Sequence, residues 1–437
     1  MLTKSLPVYC MLAGVLMACS SSRRSVSGEY NIHYLNDSLP APYATSSSMN
    51  FSNVTGWKEG EAPIAPKGFL VTRYADGFQN PRWMYVLPSG DLLVAEANTP
   101  HGFLEKIGAA VIGANKSNDM RKSANRITLL RDSDHDGVPE LRTTFLKGLN
   151  LPFGMLLMGN SFYVANTDGL WAFPYHEGDT SITVSGKKIL DLPAGKHNRH
   201  WTRNIISNRK GSKIYIAIGS GSNVAEDGPD NEKDRARIWE INPDGSGLKV
   251  YAYGIRNPVG MDWAPGTNTL WVAVNERDEL GDELVPDYLT SVKEGGFYGW
   301  PFSYYGQHYE PRIKEEQQDS VLVRSAIVPD ISLGSHTASL GLIFYNGKYF
   351  PGHYQGGAFV AQHGSWNKSK LAGYRVIFIP FKKGKPSGKQ EVFLSGFIVD
   401  PEKDEVRGRP VGLAVLPDGS LLVADDTSDI IWRVSRQ

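Results

Sequence analysis

Cysteine is almost absent from this sequence. The 437-residue chain has only Cys10 and Cys19, so the body beyond them can form neither a disulfide framework nor a thiolate metal site. Any metal it holds must take oxygen or nitrogen ligands. An excess of one charge is also missing: 46 Lys and Arg balance 46 Asp and Glu, which argues against a nucleic-acid coat. Helical periodicity is nearly absent, which excludes a helical bundle. Beyond the first twenty residues no apolar run is long enough to cross a bilayer. The length excludes a small binding module. Turn formers are abundant, with 46 Gly and 26 Pro, and 41% hydrophobic residues are enough for a large core.

The apolar run Leu6 to Met17 follows Lys4 and has the charged start and short hydrophobic core of an export signal. It ends in Leu16-Met17-Ala18-Cys19 followed by three serines, which resembles a bacterial lipobox. Residues 1–18 are therefore expected to be a lipoprotein signal peptide, with Cys19 acylated and the protein anchored to a membrane at the periplasmic or cell surface. Simple secretion with an incidental cysteine is the alternative. Residues 19–63, rich in Ser, Asn and Pro, read as a tether and N-terminal extension.

The body, residues 64–437, contains an internal repeat. A short strand ending in Val-Ala or Ile-Ala occurs six times: LLVAEAN from Leu92, FYVANTD from Phe162, IYIAIGS from Ile214, LWVAVNE from Leu270, AFVAQHG from Ala358 and LLVADDT from Leu421. A partner stretch precedes each copy: NPRWMYV, LPFGMLL, HWTRNII, RNPVGMDW, HTASLGLIF and RPVGLAV. A turn such as Pro-Asp-Gly or Tyr-Asn-Gly separates the two, so each unit contains a β-hairpin. The Val/Ile-Ala pairs recur every 52 to 88 residues, room for four short strands and variable loops. The expectation is an all-β, six-bladed β-propeller, with ring closure suggested by the match of the first unit to the last.

If the partner stretches are the inner strands, their starts gather at one mouth of the channel. The residues there are His200, Arg256, Asn257, His336, Arg407 and Arg409, a positive funnel in a neutral protein whose natural ligand is a small polyanion. Taken singly, each arginine could equally pair with a local carboxylate. A separate motif, Asp132-Ser-Asp134-His-Asp136-Gly137-Val-Pro-Glu140, sets three carboxylates at alternate positions before a turn glycine, like the first half of a calcium loop. Thr143 stands where an EF-hand needs its bidentate Glu, so a structural calcium or a solvated turn are the two readings.

These residues, together with HWTRN, VNERDELGDELVPDYLTSV, GGFYGWP, HTASLG, AQHGSWN and Arg407-Gly-Arg409-Pro, resemble the glucose/sorbosone dehydrogenases, most closely the sorbosone branch. The resemblance implies a six-bladed quinoprotein that carries pyrroloquinoline quinone (PQQ) and calcium and oxidises a sugar, polyol or sugar aldehyde. It implies that His200 is the general base, that Arg256 and Asn257 contact the quinone, and that Arg256 polarises it. Arg407 and Arg409 would grip the cofactor's carboxylates, with His336 and His363 as further contacts, His363 standing where a lysine is expected. The catalytic calcium would rest on main-chain carbonyls at Asp278 and Glu279. An external quinone or cytochrome would take the electrons.

Two departures stand out. Gly219-Ser220-Gly221-Ser222 replaces an acidic residue that would orient the base, and Leu149 replaces a glutamine. They point away from glucose itself. The long segments Thr99 to Ala124 and Tyr304 to Ser335 are expected to set substrate choice. The competing functions are a non-catalytic propeller that binds carbohydrate or protein, and a calcium-dependent lactonase-type hydrolase, which would need carboxylates where arginines stand.

Overall fold

The computed structural model describes residues 39–99, 114–117 and 120–437. Cys10, Cys19 and the whole leader lie outside the described residues, as does most of the 99–124 segment. Among the described residues, helix is confined to Ser320–Arg324 and isolated 3-10 turns, and no helix is long and apolar enough to cross a membrane.

The all-β class holds. Six antiparallel sheets follow one another along the chain, five with four strands and the third with an added parallel strand, Gly296–Phe297. Their first strands are Pro81–Val86, Met155–Met158, Ile205–Ser207, Pro258–Trp263, Ser339–Phe344 and Pro410–Val415. All six come from the partner stretches. The Val/Ile-Ala strands form the second strand of every sheet. The first strands also touch in sequence, one to two through five to six and six back to one, which closes a cycle. The sixth sheet is completed from the other end of the chain: Phe69–Ala75 pairs with Ile430–Arg436.

The second strands read as continuous apolar runs because both faces are covered. Alternation along a strand sends successive side chains to opposite neighbours. Val272 and Val274 join Tyr215 and Ala217 of the third sheet, whereas Trp271 and Ala273 join Ala358 and Val360 of the fifth. Phe359 and Ala361 then meet Leu421 and Val423 of the sixth. The outermost strands, such as Lys187–Asp191 and Glu391–Leu394, carry exposed charges, which discourages edge pairing.

A glycine recurs in the first strands because the narrow axis leaves no room for a side chain. A Cβ on Gly341 would lie 2.2 Å from the Val411 carbonyl oxygen and 2.9 Å from the Ala361 Cβ; one on Gly412 would lie 2.8 Å from the Arg82 carbonyl oxygen. Gly341→Ala is expected to cost about 1–3 kcal/mol by overpacking. Urea unfolding checks this, and a change under about 0.5 kcal/mol, the range of neutral surface substitutions, would contradict it.

Residues 39–63 are not a free tether over their whole length. Asn53–Val54 pairs in parallel with Glu405–Val406, and Trp57 packs edge-on against Phe397 and Trp432. Phe51 stacks on Trp366 at 5.9 Å. Phe51 and Trp57 are thereby half-buried, which the segment's polar average composition hides.

Candidate active site

The starts of the first strands do converge. A cavity of about 530 Å³ receives Arg82, His200, Asn257, His336 and Arg409 from five of the six sheets. The ends of second strands add His363 and Asp426, and Asp278 comes from the loop after the fourth. That volume suits a small molecule.

His200 stands before the first strand of the third sheet. Its Nδ1 lies 3.0 Å from the Ser220 carbonyl oxygen and 2.9 Å from Ser220 Oγ. A carbonyl only accepts, and Ser220 Oγ spends its own proton on the Ser222 carbonyl at 2.7 Å. Nδ1 therefore carries the hydrogen, and Nε2 keeps a lone pair. Burial, then the charge of Arg256, holds the imidazole well below its ordinary pKa, despite the Ser220 contact. Beside it, the Asn257 Oδ1 is buried without a partner. A Cβ on Gly219 would come within 2.5 Å of the His200 Cβ and 2.6 Å of Asn257 Oδ1, so glycine there lets the base and the amide share one wall.

His336 faces the cavity with both ring nitrogens engaged, Nε2 at 2.9 Å from the Gly281 carbonyl oxygen and Nδ1 at 3.3 Å from Asp278. Burial opposes its charge, but Asp278 outweighs it and the pKa is raised. His363 Nε2 sits 2.9 Å from both Asp426 oxygens. Burial and Arg409 nevertheless push it down to about 4. Asp426, which also binds Arg82, is held below the usual carboxylate range against the effect of burial, first by the charges of His363 and Arg82. Arg409 spans the His363 and Gly364 carbonyls at 3.1 and 2.7 Å and Ser117 Oγ at 3.2 Å.

Two expected contacts lie elsewhere. Arg256 turns away from the cavity because neighbouring residues of an extended chain point to opposite sides: Asn257 faces in and Arg256 faces the loop wall. Its guanidinium, 3% exposed, donates to Asn223 O and Oδ1 and to the Asn275 and Glu276 carbonyls at 2.6 to 3.1 Å. Arg407 is outside the cavity lining and is gripped twice by Glu61 at 3.0 Å while lying over Trp57. The hydrogen bond from Arg407 lowers the Glu61 carboxyl to about 2.

In the loop expected to hold a catalytic calcium, several main-chain carbonyls bind side chains instead. The Asp278 carbonyl already accepts from Arg312 at 2.8 Å and Asn223 at 3.3 Å, and the Asn275 and Glu276 carbonyls accept from Arg256. The Glu279 side chain extends away, 3.7 Å from Arg312 and 62% exposed. Guanidinium groups thus occupy the Asn275, Glu276 and Asp278 carbonyls. Asp132, Asp134, Asp136 and Glu140 do come together, with ligand atoms all within 4.8 Å of one another, but on a separate surface turn. Backbone N–H groups of Ser133, Asp136, Gly137 and Val138 take one oxygen from each of these carboxylates.

Sequence reasoning missed Arg82, Arg199 and Asp426, all of which line the cavity. Arg82 had a usable signal, since Asn80-Pro81-Arg82 opens its partner stretch much as Arg256-Asn257-Pro258 opens another. Its Nε is buried without a partner. A larger cavity, about 900 Å³, has Arg312, Ile313 and Leu322 of the 304–335 segment among its walls. That segment therefore does not wall the 530 Å³ site as expected.

Six sheets in cyclic contact thus surround a cavity that holds a buried imidazole among arginine side chains. Comparison with known proteins shows what the chain is similar to: residues 176–376 match the family described as Glucose / Sorbosone dehydrogenase. An uncharacterized protein of Borreliella burgdorferi is 29% identical over 309 residues, 67% of this chain and 77% of that one. The aldose sugar dehydrogenase YliI of Escherichia coli is 26% identical over 174 residues, 39% of this chain and 41% of its own length, so less than half of either protein is matched. In shape, the chain resembles the holo form of the pyranose dehydrogenase PQQ domain from Coprinopsis cinerea, with a TM-score of 0.68, 18% identity and coverage of 88% of this chain and 100% of that one.

Proposed function

We propose that this protein is a PQQ-dependent dehydrogenase that oxidises a sugar, polyol or sugar aldehyde and passes the electrons to an external acceptor. The observation that carries the reading is His200, held neutral with its Nε2 lone pair available in a cavity rimmed by Arg82, Arg199 and Arg409. The donor chemistry fits a small planar polyanion. Guanidinium groups converge, Arg82 Nε is an orphaned donor and Asn257 Oδ1 an orphaned acceptor. Arg82 and Arg409 would hold carboxylates and Asn257 a ring edge. When bound, the quinone supplies the hydride acceptor. His200 Nε2 takes the proton from the substrate hydroxyl, or from an aldehyde hydrate, and its neutral state lets it do so at ordinary pH. Arg256 acts at one remove, by fixing the 275–278 loop.

The six sheets are read as blades of a closed six-bladed propeller, supported by the cyclic contact of their first strands. Sorbosone-like substrates are favoured by the sequence motifs. Export and anchoring through Cys19 complete the proposal and rest on the leader sequence alone.

The test is a titration of PQQ into the protein, following the cofactor spectrum before and after adding aldoses, polyols and sugar aldehydes. Binding followed by substrate-dependent reduction supports the reading. No PQQ binding would overturn it and leave a carbohydrate- or protein-binding propeller.

Calcium is proposed only at the Asp132–Glu140 turn, as a structural ion. At a hundredfold excess over its dissociation constant it should stabilise the fold by about 2.7 kcal/mol. Thermal unfolding with and without EGTA checks this. The difference should vanish in the D134N/D136N variant, and a wild-type protein indifferent to calcium refutes it.

A further inference from the structure

The sequence offers no carboxylate beside the base, because Ser220 stands where one is expected. The fold brings one in from another segment. Glu232, 8% exposed, closes the 3-10 turn Pro229–Glu232 and reaches back over the Gly219–Ser222 strand end. Its Oε2 accepts from the Gly221 N–H at 2.7 Å and its Oε1 from the Ser222 hydroxyl at 2.5 Å. The Ser222 oxygen cannot turn elsewhere, since it also accepts the Ala225 N–H at 3.0 Å. The Ser222 carbonyl in turn takes the Ser220 hydroxyl proton at 2.7 Å, which leaves Ser220 Oγ and O facing His200 Nδ1 as acceptors.

The packing leaves little slack. A Cβ on Gly221 would meet the His197 carbonyl oxygen at 2.9 Å and Glu232 Oε1 at 3.3 Å, and Gly219 is pressed against His200 and Asn257 on the other side. The segment is clamped between the base and the carboxylate. The charged groups that weigh most on His200 are cations, Arg256, Arg199 and Arg203, the last donating to the His200 carbonyl at 2.7 Å.

We propose that Glu232 is a positioning residue for His200: by accepting from Gly221 N–H and Ser222 Oγ–H it holds in place the Ser220 carbonyl and hydroxyl that receive Nδ1–H, and so points the Nε2 lone pair at the substrate. This deepens the dehydrogenase reading, in which His200 is the base. The carboxylate does the orienting work expected of an acid at position 220, at the distance of two serines. Its own proton affinity, raised by burial and lowered in opposition by Ser222 and Gly221, plays no part in catalysis.

The test uses E232Q and S222A in the full chain. A glutamine amide cannot accept from both Gly221 N–H and Ser222 Oγ–H, and alanine removes the second link outright. Long-range ¹⁵N–¹H NMR of the histidine rings, with His200 assigned by its loss in H200A, should show a single Nδ1–H form in the wild type. Either variant should show a mixture with the Nε2–H form. With PQQ bound, kcat should fall by roughly ten- to a hundredfold from misplacement of the base, with KM changed little. The E232Q/S222A double variant should be no worse than the more affected single one, because both break one chain. An unchanged tautomer in folded E232Q or S222A overturns the proposal, as does a loss of thermal stability without a tautomer change. The NMR readout needs no turnover, so a protein that fails to reduce PQQ would sink the dehydrogenase reading while still deciding the role of Glu232.

Discussion

Replacing His200 with alanine should lower kcat with a sugar or aldehyde substrate by about 10²–10⁴-fold, the usual contribution of a positioned base. PQQ affinity should stay within severalfold of the wild type, because Arg82 and Arg409, which would hold its carboxylates, come from other sheets. The pH dependence carries further information. A base works when deprotonated, and burial together with Arg256 holds His200 well below its ordinary pKa. The acid limb of kcat/KM should therefore lie below pH 6.5, with a flat profile from there to neutrality. H200A should lose that limb altogether. A limb centred above pH 6.5 would mean that another group titrates or that the cavity is wetter than its packing indicates. Equal kcat in H200A would remove the base from the mechanism.

The same depressed pKa bears on stability. Between the folded and unfolded values the unfolded chain binds more protons, so stability falls as pH drops below the unfolded pKa of His200. His363, held down to about 4, adds to the same trend. Asp426 does so at lower pH: its folded pKa is depressed, so the stability it supplies is present above its unfolded value and lost as acid protonates it. All three groups line the cavity, which makes acid a poor condition for keeping the site assembled.

How much of this was legible beforehand depends on the length scale of the signal. The strands were legible because a fully covered strand must be apolar on both faces, and six near-identical Val-Ala runs leave little else to read. The hairpin partners followed from the turns between them. His200, Asn257, His336 and Arg409 were placed at one mouth by their position at equivalent strand ends and His363 by the family resemblance, and all five line one cavity. Arg256 and Arg407 lie outside that lining for a definite reason. Composition shows that an arginine is near a cavity but not which side of the chain it leaves from, and each found oxygen partners inside the protein: four for Arg256, and the Glu61 carboxylate for Arg407. Glu61 could not be anticipated because it reaches its partner across 346 positions of sequence. The same holds for Glu232, whose approach to Ser222 needs the 3-10 turn at 229–232.

The loop wall beside the site makes the second large prediction. Arg277 is fully buried and binds Glu276 and Glu310 at 3.0 Å each, and the Ser303 carbonyl at 2.9 Å. Arg312 also binds Glu310, at 2.7 Å. Burial alone would lower the Arg277 pKa, but the two carboxylates outweigh it and the pKa is raised; Glu310 is lowered against its own burial by Arg312 and Arg277. Arg277→Met should therefore cost about 3–5 kcal/mol, because it leaves buried carboxylates short of a partner rather than merely deleting an attraction. The sign with pH is fixed. The wild-type pairing is present above the unfolded pKa of Glu310 and lost as pH falls through the folded one, whereas the variant's stranded carboxylates gain by taking up protons. The stability gap should thus be widest near pH 7.5 and narrow toward pH 5, as urea unfolding at the two values would show. A gap below 1 kcal/mol, or one that widens in acid, would refute the network's structural role. The loop held by Arg277 carries the carbonyls that clasp Arg256 and the Asp278 side chain that holds His336, so the folded variant should also bind PQQ less tightly, by the loss of a wall rather than of a contact.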